Sequence, residues 1–119
     1  MGLIRYFQRI RDRLQRGKPQ FHVANADEMP EHLRGGLVYL VGSTQTPWAA
    51  VFGCPSGCGA RIELNLRAEV SPFWRVVCHA DNTISIWPSI HRKVGCRSHF
   101  WIERGYVVNV YDMPRPGRR

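Results

Sequence analysis

No apolar run in these 119 residues approaches the roughly 20 residues that a membrane-spanning helix needs. Acids are scarce, nine against seventeen lysines and arginines, and cysteine occurs four times. There is no internal repeat, which sets aside solenoid and propeller architectures. A secretory signal is not read either, because arginine interrupts the first residues every few positions. The expected compartment is therefore a reducing cytoplasm, where clustered cysteines read as metal ligands and not as disulfides. A length of 119 residues allows one domain and is short for two. The hydrophobic share of 44% and the charged share of 22% belong to a globular chain, not a disordered or fibrous one.

The net charge of +8 is carried at the ends. Arg5, Arg9, Arg11, Arg13, Arg16 and Lys18 crowd the first eighteen residues against Asp12 alone, and Arg115, Arg118 and Arg119 close the chain. The eight remaining basic residues are matched by eight acids. Terminal charge favours an interaction arm over a basic active site, and it counts against nucleic-acid binding, which needs basic groups interleaved with aromatic platforms.

Leu3, Ile4, Phe7, Ile10 and Leu14 recur at spacings of three and four, so residues 1–18 are expected to form a basic amphipathic helix, ended by Gly17 and Pro19. Residues 19–36 are polar and turn-rich and read as a linker. Residues 37–112 change texture. Short β-branched or aromatic runs at 37–41, 48–52, 62–66, 73–77, 83–87, 100–103 and 107–111 are each bounded by turn residues. Asp81-Asn82 and Arg104-Gly105 are the clearest hairpin turns. The fold class is mainly β: a small, metal-stapled meander of six or seven strands after one N-terminal helix, with a basic tail at 113–119.

Cys54-Pro55-Ser56-Gly57-Cys58-Gly59 places two thiols four positions apart on a glycine-rich turn. Cys96-Arg97-Ser98-His99 offers a second hook at C-x-x-H spacing. Two such hooks separated by a β insert describe a structural Zn2+ site, since zinc takes four tetrahedral sulfur or nitrogen ligands. The expected set is Cys54, Cys58, Cys96 and His99. Cys78 and His79 are alternatives to His99, although Cys78 continues a strand pattern and reads more simply as core.

Ser89, in Trp87-Pro88-Ser89-Ile90-His91, is either a turn residue or a nucleophile. A nucleophilic serine needs a base within hydrogen-bond reach. His91 shares its face in an extended segment, and His99 is the other candidate. His99 cannot freely serve both zinc and serine, and spacing leaves that choice open.

The runs "LVYLVG", "PWAAVFGCPSGCGARIELNL", "FWRV", "TISIWPSI" and "GCRSHFWIERGYVV" resemble a bacterial family designated domain-of-unknown-function family 6527. The resemblance covers roughly residues 37–110. It implies a setting beside ubiquitin-like modifiers and their E1- and E2-like enzymes, and a peptidase that trims or removes the modifier. Carried residue by residue, it implies metal ligation at Cys54, Cys58, Cys96 and His99 and a functional serine at Ser89. The chain departs from the family's common C-P-C-G-C in having Ser56 at the middle position. Against this stands a non-catalytic zinc module that recruits a partner of the same pathway, with Trp48, Trp74, Trp87 and Trp101 as candidate anchors.

Overall fold

The computed structural model describes residues 17–110. The helix expected over 1–18 lies outside them apart from Gly17 and Lys18, which are not helical, and the basic tail lies outside them altogether. Every named element is a strand: β1 (His22–Ala26), β2 (Leu37–Gly42), β3 (Pro47–Gly53), β4 (Arg61–Asn65), β5 (Arg75–Cys78), β6 (Ile84–His91), β7 (His99–Glu103) and β8 (Tyr106–Asn109). They form two four-stranded sheets, ordered β1-β2-β3-β4 and β5-β6-β7-β8. Among the described residues no helix is long and apolar enough to cross a membrane.

The strands sit where β-branched and aromatic residues alternate with polar ones. In β4, Ile62 and Leu64 are buried while Glu63 is exposed. In β7, Phe100 and Ile102 are buried between half-buried neighbours. Facing side chains from both sheets close one core, with Phe52 at its centre. The Phe52 ring meets those of Phe21 and Phe100 edge-on, at centroid distances of 5.4 Å and 6.5 Å.

Two expectations are corrected. The single meander is a pair of sheets with eight strands. The 19–36 linker supplies β1, and Phe21 just before it is 3% exposed. β1 runs parallel to β2, with Val23 opposite Val38 and Asn25 opposite Leu40. A parallel neighbour needs a crossover connection, not a tight turn. Residues 27–36 are that connection, and they lay Met29 and Leu33 on a small second cluster of Val41, Ala49 and Val51.

The start of β1 is also stitched to the second sheet. Gln20 and Phe21 donate their N–H groups to the Gly105 carbonyl at 2.9 Å and 3.0 Å, and Val23 donates to the Asn82 carbonyl at 2.9 Å. Gly105 sits in the β7–β8 turn at φ +84°, where a Cβ would lie 2.7 Å from the Phe21 carbonyl oxygen. Position 105 therefore demands glycine for both conformation and space.

Gly105→Ala is accordingly expected to cost about 2 kcal/mol or more, the sum of a left-handed backbone and a backbone clash. Gly35→Ala, where a Cβ would meet nothing, is the control and should change little. Denaturant midpoints measured side by side check this; equal midpoints would show that residues 19–21 do not pack on the β7–β8 turn.

Candidate active site and thiol cluster

β3 ends at Gly53, and Cys54 follows it directly. The Cys54 amide donates to the Ala60 carbonyl and the Gly57 amide to the Cys54 carbonyl, at 2.8 Å and 3.1 Å, which closes the turn between β3 and β4 around Cys58. Cys96 comes from the β6–β7 connection, pinned by the Arg92 amide donating to the Ser98 carbonyl at 2.8 Å. The three sulfurs lie within 4.8 Å of one another, and those of Cys54 and Cys96 are 3.6 Å apart.

Each hook carries a serine two positions past its first cysteine. Ser56 Oγ is 3.1 Å from Cys54 Sγ, and Ser98 Oγ is 3.0 Å from Cys96 Sγ. The hydroxyls of Ser56 and Ser98 and the Ser98 amide bring the Cys96 thiol down to about 5. Hydrogen bonding to the Ser56 hydroxyl, then to the Ala60 backbone, lowers that of Cys58. Metals bind the thiolate, so sulfurs already biased toward ionisation suit an ion. Three cysteines this close can hold a metal ion. The sequence marks Ser56 only as a departure from the family's hook and gives Ser98 no role, although the repeated Cys-x-Ser spacing is the visible trace of this arrangement.

The other expected ligands are not brought to this cluster. Cys78 is exposed on β5, where burial of its surroundings raises its thiol. His79 Nε2 is 2.7 Å from Ser85 Oγ. His99 Nε2 lies 2.8 Å from Ser89 Oγ, so that nitrogen faces the serine.

The meeting of Ser89 with His99 follows from a register shift. Ile86 pairs with Ile102 and Ile90 with Phe100, so three β6 residues stand opposite Trp101 alone. The extra pair of residues preserves the alternation, with Ile86 and Ile90 buried. Ser89 and His91 therefore share the other face with His99. His91 pairs directly with His99, and their rings stack at a centroid distance of 4.3 Å and an interplanar angle of 16°. Trp74 Nε1, from the segment before β5, donates to the Ser89 carbonyl at a long 3.5 Å. Partial burial, reinforced by the neighbouring His91, pushes the His99 imidazole below its ordinary value of 6.5. A neutral imidazole facing a serine hydroxyl is the arrangement that can take the hydroxyl proton.

A family model described as "Bacterial ubiquitination-like system serine protease (BubE)" matches residues 25–110. The chain belongs to this family. The match spans both sheets, the three cysteines and the Ser89–His99 pair. It supports the bacterial ubiquitin-like setting that the resemblance implied, under the BubE description and not under the number 6527. No curated protein and no solved structure matches the chain.

The thiol cluster makes a direct prediction. Protein purified without chelator should carry about one metal ion per chain. Cys54→Ser and Cys96→Ser should each lose it, while Cys78→Ser keeps it. Elemental analysis decides, and a metal-loaded Cys96→Ser protein would contradict the assignment.

Proposed function

We propose that the chain is a serine-type peptidase that processes or removes a bacterial ubiquitin-like protein, with Ser89 as nucleophile and His99 as its base. The observation that carries this is the 2.8 Å approach of Ser89 Oγ to His99 Nε2, within a chain of the BubE family. With His99 neutral, Ser89 Oγ–H donates to Nε2. Oγ attacks the carbonyl carbon of the scissile bond as the proton passes to the imidazole. The imidazolium then gives that proton to the departing amine, leaving an ester on Ser89. Water, deprotonated by the same nitrogen, attacks the ester, releases the acid and restores the hydroxyl. His91 stacks on the imidazole and holds its plane; His99 is preferred as base because its nitrogen meets the hydroxyl.

Zinc is the ion proposed for Cys54, Cys58 and Cys96, as the common partner of clustered thiolates. Held there it supplies structural cross-linking, and no chemical step requires it. The proposed partners are the ubiquitin-like substrate and the E1- and E2-like enzymes of its system, in the bacterial cytoplasm. Nucleic acid is not among them.

Three outcomes test this reading. Ser89→Ala should abolish cleavage of a ubiquitin-like protein bearing a C-terminal extension, with metal content and melting unchanged; His99→Ala should lose activity and keep its metal. Full activity of Ser89→Ala would leave a non-catalytic recruiting module as the account. The rate should fall on acidification with a midpoint below 6.5, because His99 must be unprotonated to act and its environment disfavours the charged ring. A midpoint above 6.5 would point to another base.

A further inference from the structure

A groove of about 330 Å3 lies between β4 and the end of β6. Neither the thiol cluster nor the Ser89–His99 pair occupies it. Ile62, Leu64, Trp74 and Ile90 give it an apolar lining, with Arg61, Glu63 and Arg92 beside them. Three observations bear on what it accepts.

The first is an open strand edge. β4 is the end strand of its sheet. Leu66 donates its N–H toward β3, to the Trp48 carbonyl, whereas the Asn65 carbonyl turns the other way and accepts from the Trp74 amide. Alternation along the strand then turns the main-chain groups of Arg61 and Glu63 the same way as those of Asn65, off the sheet. Among the described residues, these two donors and two acceptors on the groove side have no ladder partner.

The second is an unmatched charge. Arg92 Nε is covered by protein and has no acceptor among the described residues. The one ion pair between side chains among the described residues joins Arg61 to Glu63, at 2.9 Å, so the groove's own carboxylate is held by Arg61 and none of the described carboxylates is paired with Arg92. A partly buried cation without a counter-charge favours a carboxylate that arrives from outside.

The third is continuity with the reacting pair. His91 lines the groove and stacks on His99. Trp74 lines it too and donates to the Ser89 carbonyl.

We propose that this groove binds substrate as an extended peptide segment, added to β4 as a fifth strand, with a carboxylate of that segment on Arg92. The main chain supplies affinity, and Arg92 sets a preference for acidic segments. The inference rests on the peptidase reading for its destination at Ser89, but its test does not require turnover.

The test uses the full metal-loaded chain carrying Ser89→Ala, titrated with acetylated hexapeptides of alternating valine and threonine. One peptide has a central glutamate and an amidated end, a second has glutamine there and an amidated end, and a third has glutamine and a free terminal carboxylate. At least one carboxylate peptide should bind about tenfold tighter than the neutral one, the scale of a charge-assisted pair. Which of the two does so separates a side-chain carboxylate from a terminal one. Arg92→Gln, added to the same protein, should erase the difference, and N-methylation of two alternate central amides should weaken binding about tenfold. Equal affinity for all three peptides, or a preference surviving Arg92→Gln, would overturn the proposal. So would indifference to N-methylation, and the peptide-side comparisons decide even where Arg92→Gln fails to fold. Ser89-dependent cleavage without any carboxylate preference would sink the groove alone. Carboxylate-selective binding beside full activity of Ser89→Ala would sink the peptidase reading alone.

Discussion

The approach of three sulfurs is the constraint on which the rest of this structure hangs. Cys54 and Cys58 belong to the turn between β3 and β4, in one sheet, and Cys96 to the connection between β6 and β7, in the other. Their cluster joins the two hairpins, and the connection that carries Cys96 leads directly into His99 at the start of β7. The β6–β7 connection is otherwise held to itself by the Arg92–Ser98 backbone bond. A domain of this size has only a modest core, and a site that gathers ligands from distant segments turns metal binding into folding free energy. The serines beside the sulfurs add to this by favouring thiolates, so the cluster is electrostatically prepared for an ion.

The division of labour between sheet faces follows from the same geometry. Inward faces of both sheets fill one core around Phe52, and the outer face of the second sheet carries Ser89, His91 and His99 beside the exposed Val77 and Trp87. Along β6 the alternation of Ile86, Ile90 inward and Ser89, His91 outward survives a register shift that widens the strand opposite Trp101. That local widening brings a serine from one strand to a histidine ten residues on, across the ladder. Such a pair on neighbouring strands is held by backbone pairing at His91–His99 and does not depend on a mobile loop. In the proposed reaction the base is thus oriented by the sheet itself.

Much of this is legible in the sequence. Runs such as Ile62–Glu63–Leu64 and Phe100–Trp101–Ile102 announce strands because branched and aromatic residues alternate with others between turn residues. The Arg104-Gly105 turn follows from its type, and both residues take positive φ. β1 was hidden because His22–Ala26 holds two alanines and an asparagine, and its parallel partner is reached through a ten-residue crossover that reads as linker. The two cysteine hooks were visible as spacing. Which histidine meets Ser89 was not, since His91 has the right parity for that face and only the cross-strand register brings in His99. The unanswered charge of Arg92 had no signature at all, because it is a property of what surrounds the side chain.

The central claim is that Ser89 is a nucleophile activated by His99. Labelling with a fluorophosphonate, which forms a stable bond only with an activated serine, tests it most directly. The account predicts one adduct per chain by intact mass, mapped to Ser89, and its loss in a folded, metal-loaded His99→Ala protein. No adduct on the folded wild-type chain, or an adduct at another serine, would contradict it.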